Sequence, residues 1–221
     1  MFVTGTDTGI GKTHVACALL HAYRAGGRRA VGMKPVASGC SDTPLGPRND
    51  DALALIAASQ PTPDYASCNP FALHDAIAPH LAARAAGIAV TLAPILGAQA
   101  RLAQSADRLV VEGVGGWAVP LSETLMQADL ARALRLPVVL VVGIRLGCIN
   151  HALLSARAIH DDGFVLSGWI ANRIDAAMPF ADENIATLRS RIDAPLLGVL
   201  GHGVAPSAAA SPEFVRAMGR L

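Results

Sequence analysis

Short apolar segments alternate along this chain with longer amphipathic ones. Most of the short segments are apolar at nearly every position, which is typical of strands in a parallel sheet covered on both faces. The pattern predicts strands at residues 2–4, 30–34, 108–112, 138–142, 165–171 and 196–200. It predicts helices at residues 13–25, 52–58, 92–105, 128–134, 150–161 and 179–191, and a last helix opened by Ser211 and Pro212. The alternation indicates an α/β fold with a doubly wound, mostly parallel sheet and helices on both faces.

Composition narrows the classes of protein that fit this pattern. The 221 residues, 52% of them hydrophobic, favour a single packed domain over residues 1–221. The 18 basic and 17 acidic residues nearly cancel, so we expect no nucleic-acid partner. The apolar runs are too short to cross a bilayer, so we expect no membrane partner and a cytoplasmic location. Proline and glycine mark residues 38–49 as a loop, and the prolines of residues 60–70 mark another.

A glycine-rich segment, residues 5–13, joins the first predicted strand to the first predicted helix. In this context backbone N–H groups bind phosphate, Lys12 reaches the β- and γ-phosphates, and the Thr13 hydroxyl binds Mg²⁺. The spacing is a variant of the P-loop, because Gly5 and Gly11 enclose five residues and Thr6 stands where the first glycine is expected. The alternative is a glycine turn that precedes a helix by chance. This alternative is disfavoured because a strand, the Gly-Lys-Thr sequence and a helix occur together here.

Three charged residues are candidates for the ligand site, which this fold places at the carboxyl ends of its strands. Glu112 ends an apolar strand, so it is expected beside the P-loop as a ligand of ATP-bound Mg²⁺; an exposed strand-end carboxylate is the alternative. Asp51 lies just before a predicted helix. It either binds the metal or nucleotide or caps the helix, for which aspartate is a favoured residue. Lys34 ends the second predicted strand and either holds a charged substrate group or is solvated.

The four cysteines, at positions 17, 40, 68 and 148, are far apart in the sequence. They form no CxxC pair and no cluster with histidine at metal-ligand spacing. We therefore expect reduced, structural thiols, with a possible exception at Cys148.

Several further motifs follow the P-loop in order. They are residues 34–39 (KPVASG), 48–52 (RNDDA), 111–117 (VEGVGGW), 146–152 (LGCINHA) and 168–172 (GWIAN). Together with the P-loop they resemble the dethiobiotin synthetase family over nearly the whole chain. The resemblance implies a P-loop NTPase fold and a ligase of biotin biosynthesis. Such a ligase uses Mg²⁺, ATP and CO₂ to close a ureido ring on 7,8-diaminopelargonic acid, through a carbamate and a carbamic-phosphoric mixed anhydride.

The resemblance also implies a role for particular residues. Lys34 and Lys12 are implied to be catalytic, with Thr13, Asp51 and Glu112 as the metal ligands. The implied ATP-binding residues are Gly9, Ile10, Gly11, Lys12, Thr13, His14, Asp51, Glu112, Gly113, Val114, Gly115, Asn172, Arg173, Gly201, His202 and Gly203. The implied substrate-binding residues are Thr8, Ser38, Gly147, Cys148 and Asn150. The family is homodimeric, and the last three of these would bind the substrate's carboxylate tail from the opposite subunit, with Cys148 as a backbone contact and not a nucleophile.

Three other classes of protein remain as alternatives. A partitioning ATPase of the same branch would carry a lysine early in the P-loop, where this chain has Asp7. An amidating enzyme of corrinoid synthesis would need an additional glutaminase domain, for which 221 residues leave no room. A protein that only binds a ligand does not need Lys12, Thr13 and Glu112, which together are typical of a Mg²⁺ site for ATP hydrolysis.

Overall fold

A computed structural model describes residues 1–219, which form eight strands and nine helices. The strands are β1 (Phe2–Gly5), β2 (Ala30–Met33), β3 (Val36–Ala37), β4 (Phe71–Ala72), β5 (Arg108–Glu112), β6 (Val138–Ile144), β7 (Leu166–Arg173) and β8 (Leu196–Leu200). The helices are α1 (Lys12–Ala25), α2 (Asp50–Ala58), α3 (Tyr65–Cys68), α4 (Pro79–Ala85), α5 (Leu92–Ser105), α6 (Gln127–Leu134), α7 (Cys148–Asp161), α8 (Ala181–Arg189) and α9 (Pro212–Met218).

Six of the strands form one parallel sheet in the order β2-β5-β1-β6-β7-β8. The order reverses around β1, so the carboxyl ends of β1 and its neighbours border the crevice in which such folds bind ligands. The register pairs Val3 with Glu112 and Gly5 with Val141. The loop after β1 therefore lies between the ends of β5 and β6.

The period-two alternation of strand side chains supplies a hydrophobic core on each face of the sheet. On β6, Val138, Leu140 and Val142 pack with residues of α5, α6 and α7, while Val139 and Val141 pack with residues of α1 and α9. These side chains are almost fully buried. The doubly wound α/β sheet with helices on both faces is thus confirmed.

The apolar runs located the main elements well. The strands at residues 108–112 and 196–200 and the helix at residues 92–105 have their predicted bounds, and Ser211 caps a helix that begins at Pro212. Elsewhere the ends move by one or two residues. Lys34 lies one position past β2, and α7 begins at Cys148, two residues before Asn150.

Residues 36–85 contain structure that the sequence pattern did not predict. Strands β3 and β4 pair in parallel as a second small sheet. The short helix α3 lies before β4, inside the predicted loop of residues 60–70, and the short helix α4 lies after β4. These elements have two to seven residues, which is too short to show a helical or strand period. Among residues 1–219, no helix is both long enough and apolar enough to cross a membrane.

Candidate active site

The P-loop turns sharply between β1 and α1. Gly9 and Gly11 have φ angles of 73° and 80°, in the left-handed region that favours glycine. A Cβ on Gly11 would lie 2.2 Å from Nδ2 of Asn172, so only glycine allows this close approach to β7. The ammonium of Lys12 donates to the carbonyl oxygen of Asp7 at 2.8 Å, which folds the side chain back over the loop.

The P-loop forms one wall of a cavity of about 880 Å³. The cavity is lined by Thr8, Gly9, Gly11, Lys12, Thr13, His14, Lys34, Ala37, Ser38, Asn49, Asp51, Ala76, Ile77, Ala78, Pro79, Glu112, Val114 and Gly115. It therefore brings together the phosphate loop, the predicted metal ligands and the predicted substrate residues Thr8, Lys34 and Ser38. The two lysines of the entire sequence, Lys12 and Lys34, both lie in it.

A buried charge cluster lies at the floor of the cavity. Nζ of Lys34 donates to Oε1 of Glu112 at 2.6 Å and to Oδ2 of Asp51 at 2.8 Å. The side chains of Lys34 and Glu112 are only 4% and 1% exposed, whereas that of Asp51 is 44% exposed. The Thr13 hydroxyl donates to the same Oε1 of Glu112 at 2.9 Å. The alternatives of a solvated Lys34 and an exposed Glu112 are thus wrong.

Burial and neighbouring charges shift the pKa values of these groups in opposite directions. Burial would lower the pKa of Lys34, but the charges of Glu112 and Asp51 outweigh burial and hold that pKa above its usual value. Burial, and next the positive charge of Lys34, lower the pKa of Lys12 to about 8. Burial opposes ionisation of Asp51, yet Lys34 keeps the pKa of this carboxyl below its usual value. Lys34 thus stays cationic between two carboxylates.

The oxygen atoms of this cluster fit a hard divalent cation. Within residues 1–219, Oε2 of Glu112 is buried and has no hydrogen-bond partner, a costly state that a cation would relieve. Asp51 and the Thr13 hydroxyl line the same cavity and add two oxygen donors of the kind Mg²⁺ prefers. No group of three or more His, Cys, Asp or Glu side chains converges in this part of the chain, so water and phosphate oxygens would complete the coordination.

Asp51 is not the helix cap. Helix α2 begins at Asp50, and Asn49 caps it by accepting from the backbone N–H of Ala52 at 3.3 Å. Asp51, in the first turn of α2, is thereby left to turn its carboxylate toward Lys34. The capping alternative for Asp51 is therefore wrong.

Part of the cavity wall was missed by sequence reasoning. Asn49 and Ala37 line it beside Ser38, and residues 76–79 add an apolar rim on which Ile77 is 47% exposed. These residues carry no charge, and the family motifs that contain Ala37 and Asn49 assigned neither of them a role. The one sequence signal for the rim was an isoleucine two residues before a proline.

The residues expected around adenine lie in a second cavity of about 430 Å³. It is lined by His14, Asn172, Arg173, Ile174, Gly201, His202, Gly203, Val204, Ala205 and Pro206. Asn172 is buried, and its Nδ2 donates to the carbonyl oxygen of Ile10 at 2.9 Å. His14 lines both cavities, so the phosphate side and this cavity adjoin.

The expected tail-binding residues are not part of either cavity. Gly147, with φ of 90°, caps the N-terminus of α7, and Asn150 is exposed in its first turn. Leu146, beside them, is 94% exposed. The structure connects this loop to the P-loop through Arg145, whose guanidinium lies 2.5 Å from the carboxylate of Asp7. The role of this loop stays a prediction.

The four cysteines are free and buried. Burial raises the pKa of the Cys17 and Cys68 thiols to about 12, and it raises that of Cys40 as well. Such thiols carry almost no thiolate at neutral pH and are inert. Cys148 is 2% exposed, with its Sγ 3.9 Å from Oδ1 of Asn184.

Fold and site define the class of protein. Residues 1–203 match the model of a family described as an AAA domain. The solved MinD cell division protein of Aquifex aeolicus aligns with a TM-score of 0.58 at 12% identity, covering 99% of this chain and 94% of that one. A ParA family ATPase from Chlorobium tepidum aligns with a TM-score of 0.57 at 11% identity, covering 100% and 98%. At such identities the likeness concerns the fold, which is that of the P-loop NTPases.

Relatives of higher identity narrow the class to one family. An ATP-dependent dethiobiotin synthetase of Xanthomonas euvesicatoria is 64% identical over 197 residues, covering 89% of this chain and 88% of the relative. An ATP-dependent dethiobiotin synthetase of Xylella fastidiosa is 57% identical over 213 residues, covering 95% and 94%. The chain therefore belongs to the family of ATP-dependent dethiobiotin synthetases, as its motifs predicted.

Proposed function

We propose that this chain is a ligase that forms dethiobiotin from 7,8-diaminopelargonic acid, CO₂ and ATP, with ADP and phosphate as the other products. Family membership supports the overall reaction. The observation that carries the proposal is the placement of Lys34, which shares one cavity with the P-loop and is buried between Asp51 and Glu112. That cavity places the ammonium groups of Lys12 and Lys34, and the carboxylates of a metal site, where carbamate and γ-phosphate would meet.

Three steps account for the atoms. One amine of the substrate adds to CO₂ and loses a proton, which gives a carbamate. A carbamate oxygen then attacks the γ-phosphorus of ATP and displaces ADP, which gives the mixed anhydride. The second amine attacks the carbamoyl carbon, phosphate leaves with the C–O bond electrons, and the ureido ring closes as that amine loses a proton.

The protein contributes to these steps mainly by position and charge. The ammonium of Lys12 and the backbone N–H groups at the start of α1 bind phosphate, as a helix N-terminus favours. Lys34 places a compact cation beside the carbamate oxygens, and Ser38 orients the reacting amines next to it. A bound Mg²⁺, held by Thr13, Asp51 and Glu112, would neutralise phosphate charge.

The remaining predicted residues would bind either the adenine of ATP or the carboxylate tail of the diamine. Asn172 would bind the adenine edge, with Arg173 and residues 201–203 around it, because these residues share the cavity of about 430 Å³. Gly147, Cys148 and Asn150 would bind the carboxylate tail of a substrate held by a second copy of the chain. None of the three lines the cavity of its own copy, which supports a homodimer with shared sites.

A product assay tests the proposal. The purified chain is incubated with diaminopelargonate, bicarbonate, Mg²⁺ and ATP, and each component is omitted in turn. We expect dethiobiotin and ADP in equal amounts in the complete mixture, and no dethiobiotin in any omission. ATP hydrolysis that ignores the diamine and yields no ring product would instead favour a partitioning ATPase, the class whose fold this chain shares.

A further inference from the structure

A fully buried glutamine lies behind the loop that follows Glu112. Gln127 is the first residue of α6, and none of its surface is exposed. Its Oε1 accepts from the backbone N–H of Val114 at 2.7 Å. Its Nε2 donates to the carbonyl oxygen of Gly116 and to Oγ1 of Thr4, the latter at 3.4 Å. One side-chain amide thus holds both ends of residues 114–116 and reaches β1 just before the P-loop.

The position of this amide requires a glycine at 113. A Cβ on Gly113 would lie 2.6 Å from Oε1 of Gln127, closer than such atoms approach one another. A Cβ on Gly116 would lie 3.6 Å from the carbonyl oxygen of Gly5, so the loop packs directly on the first residue of the P-loop. Gly113 therefore lets the loop lie against the glutamine, and Gly116 lies in contact with the phosphate-binding segment.

The local fold fixes where Gln127 points. Its backbone N–H donates to the carbonyl oxygen of Val119 at 2.8 Å. The carboxylate of Asp129 accepts from the N–H of Met126 at 2.9 Å, which closes the first turn of α6. A buried amide is costly unless its polar atoms are paired, and here both Oε1 and Nε2 are. The chain therefore places a paired amide at this position.

We propose that Gln127 is a positioning residue for the nucleotide end of the active site. It fixes residues 113–116 against the P-loop, and it thereby holds Glu112, Val114 and Gly115 in place at the cavity. Gln127 does not line the cavity, so it acts through the loop and not on the substrates. The proposal rests on the proposed binding of Mg²⁺ and ATP by these residues.

Two substitutions test whether the side chain of Gln127 holds residues 113–116 in place. Gln127→Met keeps the length of the side chain and removes every hydrogen bond that the side-chain amide makes. Gln127→Glu keeps an acceptor for Val114 but replaces the donor to Gly116 by an acceptor. The matched control is Gln99→Met, because Nε2 of Gln99 donates to the carbonyl oxygen of Leu134 at 3.0 Å, at the other end of α6 and away from the cavity.

The measurements are the Kd of a non-hydrolysable ATP analogue with Mg²⁺, the KM values for ATP and diaminopelargonate, and the thermal unfolding midpoint. Below that midpoint we expect both Gln127 variants to raise the Kd and the KM for ATP about tenfold, the effect of one or two lost hydrogen bonds. The diamine KM should change far less. Gln99→Met should lower the midpoint without changing the Kd.

The outcomes separate the two proposals. If both Gln127 variants bind the analogue as the wild type does, or if neither folds, the glutamine serves the fold alone and the positioning role is wrong. If the wild type itself fails to bind the analogue or to form dethiobiotin, the proposed function is wrong. Weak binding by the Gln127 variants beside normal binding by the wild type and Gln99→Met supports the positioning role.

Discussion

The ammonium of Lys34 lies 2.6 Å from a carboxylate oxygen of Glu112, although the two residues are 78 positions apart in the sequence. The register explains the contact. Met33 pairs with Val111, so the residues that follow them leave adjacent strands at the same edge of the sheet. The same Glu112 oxygen accepts from Thr13 of the P-loop. Lysine, hydroxyl and carboxylate thus form one hydrogen-bonded unit in the cavity.

Lys12→Ala should lower ATP-dependent turnover about a hundredfold. The substitution removes a preorganised charge from the phosphate, and one such contact is worth on the order of 3 kcal/mol in the transition state. The rate of dethiobiotin formation at saturating diamine measures the effect. Arg28→Ala, which removes an exposed cation away from the cavity, is the control. Wild-type turnover in Lys12→Ala would mean that this loop does not hold the transferred phosphate.

Glu112→Gln should raise the Mg²⁺ concentration needed for half-maximal rate. A neutral amide is a weaker ligand for a hard cation, and the substitution also removes a charge partner of Lys34. A titration of Mg²⁺ at fixed ATP measures the shift. Glu123→Gln makes the same chemical change at an exposed position outside the cavity and should leave the titration as it is. An unshifted titration in Glu112→Gln would remove this residue from the metal site.

Asn172→Ala should raise the KM for ATP and relax the choice of base, with a smaller effect on the diamine. An asparagine amide has two donors and an acceptor, so the bond from Nδ2 to Ile10 leaves groups free for an adenine edge. Kinetics with ATP, GTP and CTP measure the selectivity.

Asn172→Ala also removes the bond to Ile10, and a disturbed P-loop would weaken the binding of any polyphosphate. Inhibition by tripolyphosphate, which has no base, therefore separates an effect on the loop from an effect on the base. We expect this inhibition to be almost unchanged in Asn172→Ala. A variant that loses tripolyphosphate binding and keeps its base preference would show that Asn172 supports the loop and does not read the base.

Mixing two impaired variants should restore activity if the sites are shared between subunits. Lys34→Ala should reduce turnover, and Asn150→Ala should mainly raise the diamine KM, because the exposed first turn of α7 offers N–H groups to a carboxylate. A heterodimer would contain one site with both lesions and one with neither. About half of the sites in heterodimers should then behave as wild type, since a C₂ dimer has two equivalent sites.

The control for this mixing experiment is Lys34→Ala refolded with Lys12→Ala. Both of these residues line one cavity of the same subunit, so heterodimers of this pair should carry one lesion in each site and recover no activity. If Lys34→Ala and Asn150→Ala form heterodimers that also recover no activity, both residues serve the site of one subunit and the shared site is wrong.

The sequence was sufficient for the main elements and for the charged part of the site. Uninterrupted apolar runs gave the strands of the parallel sheet, and the P-loop, Glu112 and Lys34 were recognisable because they follow such runs directly. The family resemblance added Asn172, residues 201–203 and the loop before α7 as predicted binding residues, whose roles stay predictions. These features are local in the chain, so residue type and spacing are enough to reveal them.

The tertiary structure alone decided how the residues meet. Gln127 lies in an ordinary amphipathic segment, and its role depends on the loop of residues 113–116, which folds over it. The wall of residues 76–79 is apolar and has no period. The pairing of Lys34 with Asp51 and Glu112 depends on β2 lying beside β5, which no local pattern specifies. Strand order is set by the packing of the entire core, so a contact across strands becomes visible only when the chain is folded.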